Sequence, residues 1–64
     1  SQFVRRYRVQ AAARMLIEEP RASVLSVGLS VGFASQSTFY AAFKEETGVA
    51  PGEYRRKQRA APAS

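Results

Sequence analysis

One stretch of the chain, residues 24–55, limits its possible folds more than any other part. A helix with one apolar stripe has apolar or side-chain-free residues at i, i+3, i+4 and i+7, and these positions are taken by Val24, Val27, Gly28 and Val31. Gly28 has no side chain, so a second helix can cross the first at close range there. Gly32 can adopt the positive φ that ends a helix abruptly. The pattern predicts a short helix followed by a tight turn.

A second helix is expected after this turn, with Phe39, Ala42 and Phe43 as its buried stripe. The remaining positions form its flanks and outer face; they are Gln36, Ser37, Thr38, Tyr40 and Ala41. Two helices joined by so short a turn make a helix-turn-helix, and the outer face of the second helix can meet a partner.

The whole chain is expected to be all-α, a homeodomain-like helix-turn-helix domain of about four helices. The expected helices cover about residues 2–19, 23–31, 36–47 and 51–59. Ser23 and Ser35 are suitable N-caps. Gly48 suits the position after a helix, and Pro51 suits a first helical turn.

The core of such a chain is small. Residues 1–59 are expected to form the domain, and residues 60–64 a flexible tail of small residues. A globule of this size buries only about 60% of its unfolded surface, so its stability is expected to be marginal. Arg8 falls within the apolar arc of the first helix, so its charge must run along that surface or meet a carboxylate or a backbone carbonyl. We therefore predict a structural role for Arg8.

The residue inventory argues against catalysis. The chain has no His, Cys, Asp or Trp, so it lacks the commonest metal ligands, the usual general base at neutral pH and the thiolate nucleophile. Its acids are glutamates, and neighbours such as Glu18 and Glu19 point about a hundred degrees apart on a helix, which makes no acid–base pair. We expect no enzyme activity, no cofactor and no bound metal.

The net charge of +5 favours a polyanionic partner. Basic residues concentrate towards the two ends, whereas residues 22–43 carry no charge. This distribution is expected if lysines and arginines hold phosphates on either side of a neutral surface that reads the bases. The alternative explanation is that the basic residues only solubilise two helical faces. An anionic membrane fits less well, because the apolar arc of the first helix contains alanines and an arginine. No apolar run approaches the roughly 20 residues that cross a bilayer, so we expect a cytoplasmic protein without a membrane partner.

Taken in order, these positions resemble the second helix-turn-helix of the AraC/XylS family of bacterial transcription regulators. The matching residues are Val24, Val27, Gly28, Val31, Gly32, Phe33, Ser35, Ser37, Phe39, Phe43, Lys44, Gly48, Pro51, Tyr54 and Arg55. The residues that resemble the family's linker helix are Phe3, Val4, Arg8, Val9, Ala12, Met15 and Leu16. The match is specific because glycine, aromatic and proline positions must all coincide over more than half of the chain.

The resemblance implies the C-terminal half of the family's DNA-binding domain, namely the linker helix and the second helix-turn-helix, without residues that could supply the first unit. Double-stranded DNA is the implied partner, and RNA polymerase and a second copy of the chain are further candidate partners. In the family the linker helix contacts both units. We therefore expect part of the apolar arc of the first helix to remain exposed, and the chain to dimerise through it or to be marginally stable.

The resemblance also implies which residues meet DNA. The candidates are Ser35, Gln36, Ser37, Thr38, Tyr40, Ala41 and Arg55. Gln36 and Ser37 could instead only cap the recognition helix, Ser35 could act as N-cap or present amides to a phosphate, and Arg55 could bind phosphate or organise a helix junction. Two departures from the family are Ala41, where arginine could read guanine, and Ala50, where a hydroxyl residue usually caps.

A module that binds another protein, without specific DNA reading, is the alternative function. Leu25 and Leu29 are one turn apart on the second helix and would be its contact residues if they stayed exposed. Packing of these leucines against the first helix or against the absent unit is the structural explanation.

Overall fold

A computed structural model of the chain describes residues 2–60, with the side chains of residues 59 and 60 outside that description. The described residues form four helices: α1 (Gln2–Glu18), α2 (Val24–Ser30), α3 (Gln36–Thr47) and α4 (Pro51–Ala60). The predicted all-α class and the order of the helices are confirmed. Of the predicted flexible tail, residues 61–64 lie outside the described residues, and Ala60 is the last residue of α4.

Serine side chains begin both helices of the helix-turn-helix, as predicted. Ser23 Oγ accepts a hydrogen bond from the amide of Ser26 at 3.1 Å, at the start of α2. Ser35 Oγ accepts from the amide of Thr38 at 3.2 Å, at the start of α3. Each bond satisfies an amide that the first helical turn leaves without a backbone partner.

The connection from α3 to α4 begins at Gly48, whose φ of 88° reverses the chain. The hydroxyl of Thr47 accepts from the amide of Val49 at 3.3 Å. Ala50 has no capping side chain, and the Thr47 hydroxyl bonds the turn that precedes it. Pro51 follows as the fully buried first residue of α4.

The core lies where α1 crosses the other three helices. The buried apolar residues are Val9, Ala12, Leu16, Val27, Phe33, Phe39, Ala42 and Phe43. Phe39 is at its centre, with ring centroids 5.3 Å from Phe33 and 5.7 Å from Phe43. The ring of the half-buried Tyr54 on α4 meets Phe43 edge-on at 5.3 Å. The predicted aromatic core is present, with Tyr54 at its margin.

At Gly28, α2 packs directly against the side chain of Phe39 on α3. A Cβ atom built on Gly28 would lie 2.5 Å from Cδ2 of Phe39 and 2.7 Å from its Cγ, closer than non-bonded carbon atoms approach each other. The ring of Phe39 therefore occupies the space that a side chain would take. The close crossing predicted from the sequence is confirmed.

Several large apolar residues stay at the surface. On α1, Phe3 is 84% exposed and Tyr7 71%, while Val4 is 44% exposed. On α2, Leu25 and Leu29 are about half exposed, so α1 does not cover them. The arc of α1 is more completely covered than the sequence suggested, because α4 also packs on it and only its Val4 end remains open.

Replacing Gly28 by alanine is expected to lower the free energy of unfolding by about 1–3 kcal/mol, because the new methyl group must displace Phe39 from the core. Gly52 on α4 gives a matched control. A Cβ there meets no atom within 4 Å, so Gly52→Ala should raise stability by up to about 1 kcal/mol through helix propensity alone. Urea unfolding followed by circular dichroism measures both. An unaffected Gly28→Ala variant would contradict the close packing.

Candidate nucleic-acid interface

α3 turns one face towards the core and the opposite face outwards. Opposite the buried stripe lie Ser37, Ala41 and Lys44, all exposed and spaced i, i+4, i+7. This stripe begins with a hydroxyl, continues with a methyl group and ends with an ammonium. Thr38 and Glu45 are exposed on one flank, and Tyr40 is half-buried on the other.

The start of α3 has its own hydrogen bonds. The hydroxyls of Ser35 and Thr38 lie 3.0 Å apart, and Ser35 also caps the amide of Thr38. Ser35 is therefore the N-cap of α3, one of the two roles that the sequence left open for it. Among the described residues, neither Gln36 nor Ser37 forms a side-chain hydrogen bond, so both exposed side chains keep their donors and acceptors for a partner.

Tyr40 belongs partly to the core. Its ring meets Phe39 edge-on with centroids 6.1 Å apart, and its side chain packs against the buried cluster. This contact holds the ring on the flank of α3 beside Ala41. The structure thus brings together six of the seven sequence-predicted candidates, residues 35–38, 40 and 41, on one end and one side of α3.

Arg55, the seventh candidate, lies elsewhere and is bonded within the chain. Its Nε donates to the carbonyl of Leu16 at 2.9 Å and its Nη2 to the carbonyl of Glu19 at 3.3 Å. These carbonyls belong to the end of α1, where four backbone acceptors have no helical partner. The helix-junction role is therefore present in the structure. Sequence reasoning alone could not choose this role over a phosphate contact.

Much of the basic charge on α1 is already paired with carboxylates of α3. Arg5 Nη2 lies 3.1 Å from Glu45 Oε1 and 3.5 Å from Glu46 Oε2, and Arg6 Nε lies 3.6 Å from Glu46 Oε1. On α4, Lys57 pairs with Glu53 at 3.8 Å. The ion pairs neutralise the acidic end of α3, which would otherwise repel a phosphate backbone. Arg5 and Arg6 of α1 therefore serve in these ion pairs and do not form a row of unpaired arginines.

Two residues with a clear place in this arrangement were not among the candidates. Lys44 is the third member of the outer stripe, and its spacing from Ser37 and Ala41 could have identified it. Arg8 reaches the turn between α2 and α3, where its Nη1 donates to the carbonyl of Gly32 at 3.2 Å. From the sequence, Arg8 could run along the apolar surface or meet a carboxylate or a backbone carbonyl; the structure shows the contact to a carbonyl.

Other kinds of site find little support in the part of the chain that the structure describes. No group of three or more potential metal ligands comes together within residues 2–60. Over the same residues, none of the helices combines the length and the apolar character needed to cross a membrane.

The arrangement is that of a DNA-binding helix-turn-helix, and comparison with known proteins agrees. A family model described as a helix-turn-helix domain matches residues 1–57. The HTH-type transcriptional regulator MtrA of Neisseria gonorrhoeae is 47% identical over 55 residues, 86% of this chain and 18% of that protein. The RCS-specific HTH-type transcriptional activator RclR of Escherichia coli is 46% identical over 52 residues, 81% of this chain and 18% of that protein. An AraC-like protein of Streptomyces lividans is 40% identical over 55 residues, again 86% of this chain and 18% of that protein.

This chain belongs to the AraC-type helix-turn-helix family, as its sequence resemblance indicated. It is a DNA-binding part of a transcription regulator. The chain spans less than a fifth of the length of the curated relatives it matches. No solved structure matches it.

Arg55→Gln is expected to lower the free energy of unfolding by about 1.5–3 kcal/mol, because the carbonyls of Leu16 and Glu19 lose a charged donor. Arg56→Gln removes the same charge from an exposed neighbour and should change stability by less than about 0.5 kcal/mol. Thermal or urea melts at matched ionic strength give both values. Equal losses in the two variants would show that net charge, and not the α1 junction, determines the effect.

Proposed function

We propose that α3 enters the major groove of duplex DNA with its Ser37–Ala41–Lys44 stripe towards the bases. The observation that supports this most directly is the exposed, uncharged start of α3, whose opposite face is fixed in the core by Phe39. A helix fixed in this way presents its outer face in one orientation. Ser37 and Lys44 are seven positions apart, which is roughly 10 Å along the helix at 1.5 Å per residue. That length corresponds to about three base pairs at 3.4 Å each.

Each side chain on this surface has a proposed partner. The Gln36 amide can pair bidentately with adenine, and the Ser37 hydroxyl can meet a base edge or a phosphate. Ala41 offers only an apolar contact, which suits the methyl group of thymine. Lys44, at the far end of the stripe, can hold a phosphate. Thr38 and Tyr40 flank the stripe and are assigned to the DNA backbone.

The proposal also assigns a limited phosphate-binding surface to this chain. Arg5 and Arg6 form ion pairs with glutamates, and Arg55 donates hydrogen bonds to backbone carbonyls. Other exposed basic residues, namely Arg21, Lys44 and Arg56, remain as candidates for phosphate. One recognition helix with few phosphate contacts has the contact area of a single module, so we expect weak binding by the isolated chain.

Fluorescence anisotropy with duplexes tests the proposal directly. The 64-residue chain should bind a random duplex weakly, bind one sequence selected from a random library more tightly, and lose affinity steeply as salt rises. The slope of log K against log salt gives the number of phosphates contacted, at about 0.9 per phosphate. No binding to any duplex at low salt, or tight binding that ignores salt, would refute the proposed arrangement.

Gln36→Ala is expected to cost about 1–3 kcal/mol on the selected duplex and to relax its preference at one base pair, because the bidentate amide is lost. Ser26→Ala, on the exposed side of α2, is the control and should leave both affinities unchanged. Binding to selected and random duplexes is compared for each variant. If Gln36→Ala weakens both duplexes by the same factor, then Gln36 reads no base.

We also propose that this chain works within a longer cytoplasmic regulator, because its relatives are named as transcription regulators and are much longer. RNA polymerase is a candidate partner of that longer protein. The proposal assigns no catalytic activity to the chain itself. It rests on the family and on the length of the relatives, not on a contact in this structure.

The exposed end of α1 is a candidate surface for self-association of the isolated chain. Phe3 and Tyr7 are one turn apart there and largely exposed. If a second copy covers them, the melting temperature should rise with protein concentration. Sedimentation and thermal melts over a concentration series measure this, with Tyr7→Gln expected to remove the dependence. A strictly monomeric chain with a concentration-independent melting temperature would show that no dimer forms.

A further inference from the structure

Arg8 connects the middle of α1 to the turn that precedes the recognition helix. Its Nη1 donates to the carbonyl of Gly32 at 3.2 Å, across 24 residues of sequence. Gly32 lies in the short segment between Ser30, the last residue of α2, and Gln36, the first residue of α3. Any rotation of that segment changes the direction in which α3 leaves α2.

The guanidinium also lies close to the turn. A Cβ atom built on Gly32 would be 3.0 Å from Nε of Arg8 and 3.1 Å from its Cζ. Gly32 has a φ of 107°, which an L residue with a side chain rarely adopts. The glycine therefore serves two requirements, since it provides the backbone conformation and leaves room for Arg8 to approach.

The other polar groups of the turn are bonded within the helix-turn-helix itself. The amide of Gly32 donates to the carbonyl of Leu29 at 3.1 Å, and the amide of Phe33 donates to the carbonyl of Gly28 at 3.0 Å. The carbonyl of Gly32 is instead held by a side chain from α1. Among the described residues, the bond from Arg8 thus links the turn to α1.

We propose that Arg8 is a positioning residue for DNA recognition: by holding the carbonyl of Gly32 it sets the angle at which α3 meets the base edges. This role rests on the proposed function of α3. Contacts to base edges require hydrogen-bond geometry within a few tenths of an ångström, whereas attraction to phosphates tolerates displacement. Loss of the Arg8 contact therefore reduces base discrimination and leaves affinity for random duplex nearly unchanged.

A direct phosphate contact by Arg8 is the competing explanation. Arg8 lines an open groove together with Arg5, Ala34 and Thr38, next to the start of α3. A phosphate bound there would use the same guanidinium. The two explanations differ in a measurable way, because a phosphate contact contributes about 0.9 to the salt slope, whereas a positioning contact contributes nothing.

The test compares Arg8→Met with Arg14→Met, which removes the same charge from an exposed position on the same helix. Affinities for the selected and random duplexes are measured over a salt series, at a temperature where circular dichroism shows each variant to be folded. For Arg8→Met we expect the ratio of the two affinities to fall about tenfold, equivalent to about 1.4 kcal/mol. Its affinity for random duplex and its salt slope should match those of Arg14→Met.

Arg8→Lys keeps the charge but not the planar guanidinium that lies on Gly32. If positioning is the role, Arg8→Lys also loses discrimination, and it decides the question should Arg8→Met fail to fold. Equal weakening of both duplexes by Arg8→Met, with a salt slope reduced by about 0.9, would overturn the proposal in favour of a phosphate contact. The proposal would also be overturned if Arg8→Met and Arg8→Lys both kept the preference for the selected duplex over the random one. A wild-type chain without any preferred duplex would instead refute the proposed function of α3, and this role with it.

Discussion

The contact between Phe39 and Gly28 determines the geometry on which the rest of the molecule depends. The ring of Phe39 fills the space beside Gly28 that a side chain would occupy, and the same ring meets Phe33 and Phe43. This one residue therefore fixes the crossing of α2 and α3 and forms the centre of the core. In a chain this short, few other contacts could replace it, because a small domain buries a limited fraction of its surface.

From that contact the exposed surface follows. Once Phe39 points inwards, helical periodicity directs Ser37, Ala41 and Lys44 outwards. Ser35 caps the helix at the end where it leaves the turn, and its hydroxyl also lies 3.0 Å from that of Thr38. The position of the outer face of α3 is therefore a consequence of core packing and capping.

Most of the fold could be predicted from the sequence because its determinants are local. Ser23 and Ser35 were recognisable as caps, Gly48 as a helix end and Gly28 as a close crossing, each from its neighbours in sequence. Contacts between distant residues were not predictable in this way. The sequence indicated that Arg8 needed a polar partner, but only the folded chain shows that the partner is the carbonyl of Gly32.

The distribution of charge shows the same limit more strongly. Counting basic residues suggested that the arginines of α1 face phosphates, whereas Arg5 and Arg6 pair with glutamates near the end of α3. Arg55 likewise bonds the end of α1, one of two roles that its sequence left open. Periodicity identifies which residues share a face of one helix, but it does not show which faces of two helices meet.

On α3 the buried residues are separate from the exposed ones, and this determines which substitutions can change the DNA sequence that such a module prefers. Gln36, Ser37 and Ala41 are exposed and contribute no buried contact, so substitutions there alter the donors and acceptors offered to a base without disturbing the core. Phe39 and Gly28 permit no such change. The residues that position α3 are thus distinct from those that would read DNA. Substitutions at the exposed positions can therefore change the sequence preference with little effect on stability.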